Sequence, residues 1–171
     1  LSRQAYRRPV NEGEIQDLMS LYSVARKEDD FEAGIRMALQ AILANPKFLF
    51  RFERSPASVS PGTPYSVGDL ELASRLSYFL WSAMPDDELL MLAEQGRLSQ
   101  PDVLREQVER LLTSPRAAAF TENFVGQWLG LCEIDATEPS HQLYPEFDHL
   151  LKVSMLRETE LFFAELLARD L

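Results

Sequence analysis

"RLSYFLWSAMPDDELL", Arg75 to Leu90, places Tyr78, Phe79, Leu80 and Trp81 in a row and then stops on Pro85 and the acids Asp86, Asp87 and Glu88. Such a run is either an aromatic binding platform or the inside of a helical core. On a helical wheel of about 100° per residue, Leu72, Leu76, Phe79 and Ala83 share one arc, Trp81 lands opposite and Tyr78 lies on a flank. A helix apolar on most sides is normally buried among other helices. The stretch therefore reads as a central core helix, opened by Ser66 with Asp69 and running through Ala83. One ring lining a ligand groove is the alternative.

Helix punctuation continues on both sides. The acids after Pro85 complement a helix dipole, worth roughly 0.3–1 kcal/mol each, and Gly96 is the natural stop of that helix. As a catalytic cluster they have a plain rival explanation in capping. Ser99 to Asp102 caps a helix carrying Val103, Leu104, Val108, Leu111 and Leu112. Ser114-Pro115 restarts the chain toward a face of Phe120, Phe124 and Trp128. A loop over about 132–145 precedes a last helix from about Glu146 to the end. Upstream, "SPASVSPGTP" at 55–64 cannot continue a helix and reads as a linker. Asn11 with Glu14 has capping-box form, followed by Ile15, Leu18, Met19 and Tyr22 on one face. A helix over Phe31–Ala44 ends at Asn45-Pro46. "PKFLFRFE" is a short helix or a strand, and helix is favoured because nothing else in the chain offers a strand partner.

These signals predict an all-α fold, an irregular bundle of about seven helices around one main core. A small N-terminal helical subdomain spans 1–54 and a larger helical domain 65–171. The last helix pattern is still running at Leu171, so the chain reads as a piece of something longer.

Composition narrows the function classes. A chain of 171 residues can bury about two-thirds of its unfolded surface, and 46% apolar residues argue against disorder. A net charge of −10 repels phosphate backbones, which argues against nucleic-acid binding; it suits a soluble protein or one that docks on a basic partner. No apolar run approaches the roughly 18 residues of a membrane span. The single Cys132 excludes an internal disulfide and has no obvious base beside it.

Chemistry is sparsely marked. His141 and His149 lack any paired metal-ligand pattern, so no metal site is predicted. No C-x-x-C-H is present, so no cofactor is expected in this segment. Glu158 is the main anomaly, because it falls inside the apolar arc of Leu151, Met155, Phe162 and Leu166. A lone buried charge is very costly, so a buried ion pair of Arg75 with Glu158 is predicted. The functional alternative makes Glu158 a general acid or base, with Asn123, Gln127 or His141 lining its cleft.

Two longer resemblances overlie these readings. "AYRRPVNEGEI…LYSVAR…FEAGIRMALQAILANPKFLFRFE" resembles the domain of unknown function numbered fifteen-ninety-five. "LELASRLSYFLWSAMPDDELLMLAEQGRL", "FTENFVGQWLGL" and "YPEFDHLLKVSMLRETELFFAELL" resemble the family numbered fifteen-ninety-two. The resemblance implies a part of a large planctomycete-type protein that is exported, to the periplasm or cell surface, with c-type cytochrome domains and their haem elsewhere in the parent. It implies no catalytic residue. The expectation is a non-catalytic scaffold or interaction module whose partners are other domains of the parent or a basic redox protein. The alternative is a hydrolase acting on a polysaccharide or similar polymer, with Glu158 in its cleft. Docking of a cationic haem protein on an acidic face is a third reading.

Overall fold

The computed structural model describes residues 1–53, 59–60, 62–136, 138–140 and 142–169. Among them the regular elements are helices and none is a strand, so the chain is all-α. Much of the predicted linker, residues 55–58 and 61, lies outside the described residues. The chain divides into two compact units, Leu1–Tyr78 with Ala83–Glu109, and Phe79–Ser82 with Arg110–Leu171.

The first unit opens with α1 (Ser2–Tyr6), α2 (Glu12–Glu28), α3 (Phe31–Ala44) and α4 (Pro46–Leu49). The capping box forms as read: Glu14 N donates to Asn11 Oδ1 at 2.9 Å, and Asn11 N donates to the Glu14 carboxylate at 3.0 Å. Asp30 caps α3 through the Ala33 amide. Asn45 ends α3 and its side chain accepts from Lys47 N, starting α4 with Pro46 in its first turn. From Phe50 the backbone is extended, so "PKFLFRFE" is helical only in its first half. The two-residue turn between α2 and α3 makes a helical hairpin. Gly34 is buried where it meets Tyr22. Ala5, Tyr6 and Ile42 form a core with Val10, Leu18 and Phe48 packed around it.

Arg7 organises this core from within. It ends α1 in the left-handed region, φ 56°, a strained conformation for a residue with a Cβ. Its side chain is buried, 6% exposed. The guanidinium donates to the carbonyls of Ala5 (3.1 Å), Lys47 (2.7 Å), Phe48 (3.3 Å) and Phe50 (2.9 Å). Three of these are left without helical partners at the end of α4, so the cation sits at the negative end of that helix.

The remainder of the first unit uses α5 (Asp69–Trp81) through Tyr78, α6 (Asp87–Glu94) and α7 (Pro101–Thr113) through Glu109. Helix α5 starts at Asp69, and that carboxylate does not cap its own helix. It accepts from the amides of Leu98 (2.8 Å) and Ser99 (3.3 Å), fixing the turn before α7. Asp86 caps α6 by accepting from Leu89 N. Gly96, at φ 64°, closes α6 with Gly96 N on Ala93 O and Arg97 N on Leu92 O, the paired bonds of a Schellman stop.

The second unit holds the last turn of α5, the end of α7, a 3₁₀ turn (Pro115–Ala117), α8 (Ala118–Trp128), a second 3₁₀ segment (Leu131–Ala136) and α9 (His149–Arg169). Trp81 is buried and its indole N–H donates to Leu111 O at 2.9 Å. The guanidiniums of Arg110 and Arg116 lie 5.8 and 5.0 Å from its ring.

The opening stretch is core, but on a different face from the one expected. Ala73, Ser77, Leu80 and Trp81 are the buried residues of α5, whereas Phe79 is 57% exposed. The deep line is rotated by about 100° from the Leu72–Phe79 arc. The deep line holds the small Ala73 and Ser77, while the bulkier Leu72 and Leu76 are half-buried flanks. A wheel weighted by hydrophobicity ranks those positions in the opposite order.

Two predictions follow from local packing. An added Cβ at Gly34 meets the Tyr22 ring at 2.7 Å and the Tyr22 carbonyl at 3.0 Å, whereas one at Gly126 in α8 meets nothing within 4 Å. Gly34→Ala is expected to destabilise by about 1–3 kcal/mol, and Gly126→Ala to stabilise by about 0.5–1 kcal/mol. Urea unfolding midpoints that move in the same direction for both refute the close packing at Gly34. Arg7→Lys keeps the charge but loses the planar fork, so a loss of about 2 kcal/mol or more is expected by the same measurement. A midpoint equal to wild type dismisses the guanidinium as an organiser.

Candidate functional site

In the second unit a hollow of about 300 Å³ is lined by Leu129, Gly130, Leu131, Ile134, Met155, Leu156, Glu158 and Thr159. It follows from how α8 stops. Gly130 takes φ 62°, which glycine adopts without a Cβ clash, and Glu133 N then donates to Gly130 O at 2.9 Å to begin the 3₁₀ segment. Asp148 caps α9 by accepting from Leu151 N at 2.7 Å. One turn on, Lys152 pairs with Asp135 of the 3₁₀ segment at 2.7 Å. The hydrogen bond from Lys152 holds the Asp135 carboxyl below its usual range. That tie sets the 3₁₀ segment against α9 and leaves the hollow between them.

Glu158 is the ionisable group among the lining residues, and the walls are otherwise apolar except for Thr159. The Thr159 hydroxyl donates to Met155 O at 3.1 Å, so it is turned onto its own helix. The predicted buried pair needs correcting, because neither partner is buried. Glu158 is exposed on α9, and Arg75 is exposed with both arms of its fork on Glu53, Nε at 2.6 Å and Nη2 closer still. The reason is that the apolar arc of α9 lies open, so Glu158 stays hydrated and needs no partner. Asn123 donates to Ser82 Oγ at 2.6 Å and to Ala119 O at 2.9 Å. Gln127 is exposed. Neither amide lines the hollow. His141 lies outside the described residues, and His149 is exposed at the start of α9. Cys132 is free and exposed. Among the described residues no group of three or more His, Cys, Asp or Glu is placed to hold a metal ion.

The acids after Pro85 act structurally. Asp86 is the α6 cap, Asp87 accepts from Arg3 at 2.9 Å, and Glu88 accepts from the buried Gln107 amide at 2.9 Å.

Residues 67–171 match the family described as "Protein of unknown function (DUF1592)". The chain belongs to that family. Residues 1–53 match a second family, described as "Protein of unknown function (DUF1595)". No curated protein and no solved structure gives a match. The hollow of this DUF1592 member lies wholly within the 67–171 match.

The DUF1595 segment holds a strongly shifted carboxyl. Glu14, besides its capping role, accepts from Arg8 at 2.5 Å and from Lys47. Arg8 first, then Lys47 and the Asn11 amide, lower its pKa to about 2, against desolvation that works the other way. Sequence reading found the cap but not the two cations, because Lys47 is brought in only by tertiary folding. Since the folded value lies below the ordinary 4.5, the stability Glu14 supplies is complete above that value and is lost as pH falls toward about 2. The difference in stability between wild type and Glu14→Gln, read from melts across that window, is expected to shrink steadily on acidification. A pH-independent difference contradicts the cluster.

Proposed function

We propose that this chain is a non-catalytic helical scaffold or interaction module of a larger, exported, extracytoplasmic protein. In this reading it consists of a small N-terminal subdomain (1–54) and a larger helical domain (65–171). Haem and c-type cytochrome domains lie elsewhere in the parent, and other domains of the parent or a basic redox protein dock here. The observation that carries the reading is α9. It runs for 21 residues without one buried residue, although Leu150, Leu161 and Phe162 are each more than half exposed. Apolar side chains left exposed along one ordered helix suit an interaction site, since covering them is favourable by about 25 cal/mol per Å². The net charge of −10 favours a basic partner, and the family resemblance supports the exported, cytochrome-bearing context.

The hydrolase reading has one observation in its favour, the opening of Glu158 into a hollow. Glycoside hydrolysis ordinarily uses a pair of carboxylates, and Glu158 is the one carboxylate among the lining residues.

Side-chain footprinting by hydroxyl radicals separates the two. Labelling of Leu150, Leu161 and Phe162 is expected to drop when the segment is studied within the intact parent protein or with a cationic cytochrome present. Undiminished labelling in both settings, together with polysaccharide cleavage that Glu158→Gln abolishes, decides for the hydrolase.

A further inference from the structure

The hollow and the α9 face beside it have a definite chemistry. Met155, Glu158 and Phe162 stand at i, i+3 and i+7, one stripe along α9. Met155 is 44% and Phe162 66% exposed. Leu129, Leu131 and Ile134 form the opposite wall. Trp128, just before that wall and 65% exposed, is held in place by the Phe124 and Phe163 rings, with centroids 5.8 and 6.4 Å away.

The charges around it are one-sided. Residues 110–171 carry ten acids against five bases. Three of those bases are engaged locally: Lys152 with Asp135, Arg157 with Glu160, and Arg169 with Glu165. Among the described residues no cation is within ion-pair reach of Glu158.

We propose that this face seats a cationic amphipathic helix of a partner protein. The partner's apolar side chains enter the hollow, and a Lys or Arg beside them reaches Glu158. This deepens the interaction-module reading and rests on it. A helix is the fitting occupant because the stripe repeats at helical spacing and offers ridges for a second helix to pack against. The excess of acid opposes both an anionic bilayer and nucleic acid.

The test uses a synthetic amphipathic helix of leucine and lysine, about 18 residues long, and its leucine–glutamate counterpart. Binding to the chain is followed by amide chemical shifts. The Leu/Lys peptide is expected to bind, to shift residues of α9 and 129–134, and to weaken several-fold between about 50 and about 300 mM salt. The Leu/Glu peptide is expected not to bind. Glu158→Lys and Phe162→Ser are each expected to weaken binding about tenfold or more, while their thermal melts match wild type because both side chains are exposed. Unchanged affinity in both variants, or equal binding of the two peptides, overturns the proposal. Shifts confined to another face also overturn it but leave the module reading standing. That broader reading fails only if footprinting in the intact protein shows no protection either.

Discussion

One guanidinium placed inside the first unit carries much of its order. Among the described residues Arg7 has no carboxylate partner; four main-chain carbonyls receive it instead. A buried cation is tolerated only when its donors are satisfied, and the open end of α4 satisfies most of them. The same contacts hold the turn after α1 in its left-handed conformation and set Phe48 beside Tyr6 and Ile42. The ring of Tyr78 lies 5.9 Å from Arg7 and 4.7 Å from Arg51, so the charge also meets an aromatic π-system. Cap, turn and core are thus three consequences of one side chain.

The second unit is ordered by aromatic side chains. Trp81 is pinned by its indole hydrogen bond to Leu111. Phe79, Phe120, Phe124, Trp128 and Phe163 form a chain of rings with centroid separations of 5.1–6.4 Å along successive contacts. Edge-on and offset ring contacts of this kind add roughly 0.5–1.5 kcal/mol each beyond area burial. The column joins α8 to α9 yet leaves Phe79 and Trp128 open to water. The opening "YFLW" is therefore divided: Tyr78 meets arginines, Phe79 meets the ring column, and Leu80 and Trp81 are sealed.

The functional reading grows from that partial sealing. A helix held on its flank by Phe163 and by the Lys152–Asp135 pair keeps its register without burying its apolar stripe. Such a face is available for docking while remaining ordered, which lowers the entropic cost of binding. Glu158 belongs to the same face.

What the amino-acid order determined by itself was punctuation. The Asn11–Glu14 box, the Asn45-Pro46 break, the Asp86 cap and the Gly96 stop all join groups within a few residues of one another. Their chemistry is complete once the local chain turns, so helix content and all-α class were readable. Which face of α5 goes deep, where Arg7 and Arg75 find acceptors, and that Glu158 faces water were decided only by the tertiary structure. Those outcomes depend on groups 22 to 43 residues apart, as in Arg75–Glu53 and Arg7–Phe50, or on helices that leave a stripe uncovered. A hydrophobic wheel records how apolar each position is; it does not record which side of the helix the rest of the fold covers.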